Sequence, residues 1–221
     1  ISDWLTQRIP LMADRADLGR AIDARNDILA QAAKATPTFL TAYVANLNDL
    51  LKAELRRQKN NDLLAFNSAL CLAKLRQPST TPLLEQLLQH KSAAARYWAT
   101  KGLAAALSSS ADNPDSARII QVLATAGTKE SSGVVLGLII YSSLPSADPE
   151  PCLAGLLKII DARLKDYQAA KISDPQAELQ AIASAAPLWP ALKQDQQNNL
   201  ADRLGRLMAF SALRYTRDYA E

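Results

Sequence analysis

Leu84-x-x-Leu87-Leu88, Ile119-x-x-Val122-Leu123 and Leu153-x-x-Leu156-Leu157 repeat one apolar pattern at offsets of 35 and then 34 residues. A second pattern runs between them: Ala99-x-x-Gly102-Leu103 returns as Val134-x-x-Gly137-Leu138, again 35 residues on. Apolar residues three and four apart line one face of a helix. The spacing therefore predicts a first helix of about 12 residues, a short turn and a second helix of about 14. Such a pair cannot bury its apolar faces alone, and repeats of this period stack into a continuous core.

Composition agrees with a helical reading. The 221 residues include 40 Ala and 35 Leu against 4 Val and 12 Ile, with only 7 Gly. The two best apolar helix formers make up a third of the chain, while the β-branched residues that favour strands are scarce. This argues against a sandwich, a barrel or a parallel α/β sheet.

Outward from the repeats, the helix punctuation is regular. Ser2 is expected to cap a short first helix carrying Trp4 and Leu5, interrupted at Pro10. Asp17 opens a helix with Leu18, Ile22, Ile28 and Leu29. Pro37 sits at a first turn, and the helix it begins runs to about Arg57 with Tyr43, Val44, Leu47 and Leu51 on one face. Asn60-Asn61-Asp62 breaks the chain before a helix over 62–75, stopped by Gln77-Pro78. Thr80-Thr81-Pro82 starts the next, and Ser92 caps a helix from Ala93 to Leu107. Pro114, Gly133 and Pro149 begin three more, the second running to Leu144. Asp174-Pro175 starts a helix with Leu179 and Ile182. Pro187-Leu188-Trp189-Pro190 makes a corner, and a last helix spans about Gln194 to Tyr215. Its Arg203, Arg206, Arg214 and Arg217 are expected on a solvated face that ends the stack.

The segment Ser92-Ala93-Ala94-Ala95-Arg96-Tyr97-Trp98-Ala99-Thr100-Lys101-Gly102-Leu103 resembles the second helix of a HEAT repeat, whose usual form is Asp-x-x-Val-Arg-x-x-Ala-x-x-Ala-Leu. Arg96, Ala99 and Leu103 match outright. Ser92 stands for the capping Asp, Ala95 for Val and Gly102 for the small Ala. Asp62-x-x-Ala65-Phe66-x-x-Ala69 is a poorer copy with Phe66 in place of Arg, and Gly133 to Leu144 lacks both Asp and Arg. The tetratricopeptide signature is missing. The expected fold is thus all-α, a HEAT-like α-solenoid of stacked antiparallel helix pairs. It forms one domain over 1–221, clearest over 62–160, with 1–60 and 172–221 as helical flanking or capping units. The resemblance further implies that Arg96 hydrogen-bonds within the stack.

Charge and reactive residues narrow the function classes. The net charge is +3, from 25 Lys and Arg against 22 Asp and Glu. The densest basic piece, Lys52, Arg56, Arg57 and Lys59, closes a predicted helix, where cations meet the negative end of the helix dipole. Nucleic acid is therefore not the expected partner. No apolar run is long enough to span a membrane. Cys71 and Cys152 fit no zinc spacing and are expected as buried thiols, with a long-range disulfide as the alternative. His90 is the single histidine, beside no nucleophile elbow, and no metal-ligand spacing occurs. Neither catalysis nor a cofactor or metal is expected. The chain begins at Ile1 rather than Met, so it is read as a processed product. Its expected setting is either cytoplasmic or that of an exported bacterial protein.

The expected function is a non-catalytic module that holds a protein or peptide on a surface lined by successive second helices, or acts as a scaffold. Arg96, Tyr97 and Lys101, with Lys74 and Phe66 on the preceding unit, are the candidate contacts. Tyr97 and Trp98 are adjacent and expected on different sides of their helix. Tyr97 is the interface anchor, and Trp98 tends toward the core. The Arg-Tyr-Trp-Ala wording is also similar to HEAT-like segments appended to secreted bacterial enzymes such as sulfatases, which implies an accessory domain or a stand-alone relative. The competing reading is an all-helical glycosylase for alkylated DNA bases, which the chain resembles in length, basic pI and its three tryptophans, Trp4, Trp98 and Trp189. No catalytic residue matches.

The reading fixes which face is buried. Gly102→Leu should cost about 1–3 kcal/mol by overpacking a helix contact, while Arg214→Ala should leave stability nearly unchanged. Urea unfolding of both variants checks this, and equal small effects would mean the wrong face is assigned to the core.

Overall fold

Five helix starts show how local chemistry sets the architecture of the computed structural model, which describes residues 1–108, 114–142, 148–171 and 176–219. Side-chain oxygens of Asp17, Thr36, Asn61 and Asp148 each accept a backbone N–H of the first turn that follows, at 2.9, 3.4, 3.1 and 3.0 Å. Ser92 does the same at 3.5 Å. These N–H groups have no partner inside the helix, so an oxygen at the cap satisfies them. Among the described residues helices joined by short turns make up the structure, and no strand occurs.

The chain divides into two compact units, Ile1–Ala106 and Leu107–Glu221. The first holds α1 (Ser2–Arg8), α2 (Leu18–Ala33), α3 (Pro37–Arg57), α4 (Asp62–Leu75), α5 (Thr81–Leu87) and nearly all of α6 (Ala93–Ser108). Here α1 packs on α3, and α2 on α4. A 3-10 turn over Ile9–Ala13, set by Pro10, packs against α1, α2, α3 and α4. Asn67, 1% exposed, ties these parts together. Its amide donates to the Met12 carbonyl at 2.9 Å, and its Oδ1 accepts from Arg25 at 3.2 Å. The core is Leu5, Met12, Ile28, Tyr43, Leu47, Leu51, Leu64 and Leu72, all fully buried. The Tyr43 hydroxyl is satisfied by the Ile28 carbonyl at 2.9 Å. Burial pushes its phenol well above the ordinary range.

At Gly102 the backbones come close. A Cβ there would lie 2.6 Å from a Leu84 methyl and 3.1 Å from the Ala73 Cα. Only a residue without a side chain lets α6 approach α4 and α5 so tightly. Two elements end in a left-handed residue that is not glycine: Arg76 (φ 51) after α4 and Ala170 (φ 53) after α9. That conformation terminates a helix, at some steric cost for a residue with a Cβ.

The second unit holds α7 (Ser116–Gly127), α8 (Gly133–Ser142), α9 (Pro149–Gln168), α10 (Gln176–Leu188) and α11 (Gln194–Tyr219). Its main partners are helices two apart in the chain: α7 with α9, α8 with α10, α9 with α11. Consecutive helices make lesser contacts. Gly127 faces Ile159 and Ile139, 2.9 and 3.3 Å from where a Cβ would stand. Arg163 of α9 meets Glu178 of α10 at 2.6 Å, with side chains only 12% and 5% exposed. Removing either partner of such a pair would strand a buried charge, at a cost of about 3–5 kcal/mol.

Several expectations need correction. Ser2 does not cap α1; Ile1 holds that position with no side-chain bond. The helix after Pro114 starts at Ser116, and the last helix extends to Tyr219. Pro187 lies inside α10, and the corner is a 3-10 turn over Trp189–Ala191. Val134, aligned with the fully buried Ala99, is 60% exposed, because α8 buries Val135 and Leu136 instead. Arg203 is not a solvated cation but pairs with Asp161 at 2.7 Å. The expected loop over 109–113, the helix end at Leu144 and the start at Asp174-Pro175 lie outside the described residues.

Cys71 and Cys152 are both buried and neither forms a disulfide, so the disulfide alternative falls. Burial pushes the Cys71 thiol up to about 12. Below about pH 8.5 the thiol is neutral whether the chain is folded or not. Above that, only the unfolded chain ionises, so stability falls as pH rises toward about 12, by at most about 1.4 kcal/mol per pH unit. Urea midpoints measured across the alkaline range should show this slope, and Cys71→Ala should flatten it. A slope that the substitution leaves intact would contradict the burial.

Candidate interaction surface

On α6 the sequence places Arg96, Tyr97, Trp98 and Lys101 on a helix whose other side is Ala95, Ala99, Leu103 and Leu107, all buried. Tyr97 and Trp98 are both half-buried. Their rings meet edge to face, with centroids 5.9 Å apart and planes at 85°. The exposed Lys101 reaches back over both, its Nζ 5.0 Å from the Tyr97 centroid and 5.1 Å from that of Trp98. Positions 97 and 101 are one turn apart, so this meeting follows from helix geometry. The ammonium is drawn by the negative faces of both rings, an attraction of about 0.5–1 kcal/mol at an exposed site. Adjacency in sequence was expected to send the two rings to different sides. The cation gathers them instead into one patch, half apolar and positively charged.

Arg96 does a different job. Its guanidinium donates to the carbonyls of His90 and Lys91, at 2.9 and 2.8 Å. The His90 Nδ1 accepts the Ser92 N–H at 3.1 Å. These bonds satisfy the carbonyls that follow α5 and fix the turn into α6. Thr100, fully buried, returns its hydroxyl to the Arg96 carbonyl at 2.9 Å.

The other two candidates sit on α4, where Phe66 is half-buried and Lys74 exposed. The geometry brings Tyr97, Trp98 and Lys101 together. It joins neither Phe66 nor Lys74 to them by a hydrogen bond, ion pair or ring contact. Lys91 is held by Asp62 at 3.6 Å. The basic run at the end of α3 is also partly neutralised, since Arg57 pairs with Glu54 at 2.5 Å. That bond holds the Glu54 carboxyl below its usual range.

Sequence reasoning missed other exposed groups. Among the described residues, large apolar side chains stand exposed on α2 (Leu18, Ile22), α8 (Val134, Tyr141), α10 (Leu179) and α11 (Met208, Leu213, Tyr215), and on none of α3, α5, α7 and α9. A second feature is a groove on α9 and α11 lined by Tyr167, Ala170, Phe210, Leu213, Arg214 and Arg217. Among the described residues there is no group of His, Cys, Asp or Glu side chains able to hold a metal, and no helix long and apolar enough to cross a membrane.

Comparison with known proteins adds no relative: no family model, no curated protein and no solved structure matches the chain.

The two cations of α6 should separate on mutation. Arg96→Ala removes charge-assisted bonds to two carbonyls and should cost about 1.5–3 kcal/mol. Lys101→Ala should cost no more than about 1 kcal/mol. Thermal or urea unfolding of each variant checks this, and a larger loss for Lys101 would make the patch structural rather than presented.

Proposed function

We propose that this protein is a non-catalytic interaction or scaffold module built as a HEAT-like solenoid, holding a protein or peptide partner on its second helices. In each unit helices two apart in the chain pack on one another, which is how stacked helix pairs bury their faces. Arg96 bonding the turn before its own helix, with small Gly102 at the crossing, fits the same reading.

The observation that carries the proposal is the uneven placement of exposed apolar groups. Leu18, Ile22, Val134, Tyr141 and Leu179 stand on α2, α8 and α10, and Met208, Leu213 and Tyr215 on the last helix, α11. Among the described residues α3, α5, α7 and α9 expose none. Burial of large apolar groups is the ordinary outcome of folding, and exposed ones suit a binding face. On α6 the Tyr97, Trp98 and Lys101 patch supplies the type of amphipathic aromatic anchor that dominates interface energies. The remaining candidates, Phe66 and Lys74, extend the face on α4, while Arg96 supports it from behind. A place as an accessory domain of a larger or exported bacterial protein accords with a module whose work is contact alone.

A photo-crosslinking residue at position 97 or 141 tests this, compared with one at the exposed Ala45 on α3. In extract of the native source, positions 97 and 141 should give a discrete adduct that position 45 does not. Equal labelling from all three would overturn the assignment of the face. Tight binding to duplex DNA that weakens steeply with salt would replace it with the glycosylase-like reading.

A further inference from the structure

The turn between α3 and α4 carries a shallow cationic pocket of about 340 Å³, lined by Arg15, Arg57, Gln58, Lys59, Asn60 and Asn61. It shares no residue with the patch on α6. A chain of side-chain bonds holds its floor. The Asn61 amide donates to the Ala13 carbonyl at 3.0 Å and to the Gln58 Oε1 at 2.9 Å. Gln58 in turn donates to Glu54 at 2.5 Å, and the Asn61 Oδ1 accepts the Leu64 N–H at 3.1 Å. These bonds tie the end of the 3-10 turn to the start of α4, so the chain leaving Ala13 brings Arg15 to Asn60. There the Arg15 guanidinium donates to the Asn60 carbonyl at 3.0 Å.

The charges at this pocket do not cancel. Acids close by in the chain each face a cation of their own: Glu54 holds Arg57 at 2.5 Å, Asp14 faces Arg20 at 3.9 Å, and Asp62 faces Lys91 at 3.6 Å. Arg57 therefore adds no net charge. Arg15 and Lys59 do. Arg15 spends one of its five N–H groups on a neutral carbonyl, which makes a hydrogen bond without neutralising the cation. Lys59 is exposed and meets no carboxylate among the described residues. Within the described lining, two positive charges are thus left over beside the Asn60 side chain, whose amide is bonded to no described residue. One carboxylate would balance only one of the cations. A phosphate monoester carries a charge of about −1.5 to −2 near pH 7 and three strong acceptor oxygens, which suits two cations and an amide donor. A nucleic-acid phosphate brings a single charge and matches less well.

We infer that this pocket binds a phosphate monoester, its oxygens on the Arg15 guanidinium, the Lys59 ammonium and the Asn60 amide. The carbonyl bond already restrains Arg15, and a side chain held in advance loses less freedom when a ligand arrives. The group reaches the pocket either on a protein side chain or on a small phosphorylated compound, and the chemistry recognised is the same.

Fluorescence anisotropy on the full chain tests the inference with a fluorescein-labelled, otherwise neutral peptide bearing one phosphoserine. It should bind at least about tenfold more tightly than a copy with serine there, and a glutamate copy should fall between the two. Arg15→Gln with Lys59→Gln should weaken the phosphopeptide by about tenfold. Lys59→Gln alone, which breaks no bond among the described residues, should weaken it as well. Lys34→Gln with Lys129→Gln removes the same charge elsewhere and should leave affinity unchanged. Glycerol phosphate as competitor separates the two sources. Displacement at concentrations near the peptide's own Kd assigns the pocket to a small phosphorylated compound, and displacement only in large excess assigns it to a phosphorylated protein segment. Four results would each overturn the inference: no binding, equal binding of the serine or glutamate copy, full affinity in both pocket variants, or equal weakening by the control pair. Tighter binding of single-stranded DNA than of the phosphopeptide would overturn it too, assigning the pocket to a phosphodiester backbone. A failure here leaves the α6 crosslinking result standing, since the two sites share no residue.

Discussion

Close approach between helices is the constraint from which the rest follows. Where Gly102 meets the Ala73 backbone, or Gly127 meets Ile159, two helices come nearer than a pair of ordinary side chains allows. Dispersion attraction falls steeply with separation, so a gap of even an ångström would forfeit much of it. Alanine, at 40 residues, extends this economy along whole helices. Ala21, Ala24, Ala65, Ala69, Ala95, Ala99 and Ala124 are all buried. Leucines fill what the alanines leave open. The chain thus builds its core from thin and thick positions in alternation, with few aromatic residues: Tyr43 is the one large ring fully enclosed among the described residues.

That economy also shapes what is left outside. A helix using small residues toward its neighbours has its larger apolar residues free for other faces. On α6 the buried side is Ala95, Ala99, Gly102 and Leu103, and the bulky Tyr97 and Trp98 lie half in water under Lys101. On α8, with Gly133 and Gly137 turned inward, Val134 and Tyr141 face out. Packing and presentation are in this sense one choice of residue made on opposite sides of the same helix.

Helix starts were legible at Asp17 and Ser92, whose side chains need only reach an N–H a few positions on, and at Pro37, Asp62 and Pro149, where a break in the pattern precedes the first turn. The limits of α4 were equally plain, because an apolar stretch bounded by Asn61 and Gln77-Pro78 leaves little choice. The outward face of α8 was not legible. Gly-Val-Val-Leu-Gly-Leu-Ile-Ile is apolar all round, and no pattern within it distinguishes Val134 from Val135. The convergence of Tyr97 and Trp98 depends on side-chain torsions that sequence spacing does not specify. The groove needs Tyr167 beside Ser211, residues 44 apart in the chain, a neighbourhood created only by tertiary packing. Arg203 shows the same gap: its spacing along α11 marks it as solvated, yet Asp161 on α9 claims it.

Helix α8 carries ten residues and not one charge. Seven of them are hidden, mainly against α10. Alone in water such a segment would have no hydrated side to rest on and too few turns to hold its shape. It therefore has no independent existence as a helix, and α10, which encloses it, loses much of its own purpose without it. The pair must form and melt as one event, giving the second unit an indivisible middle around which its outer helices can loosen separately.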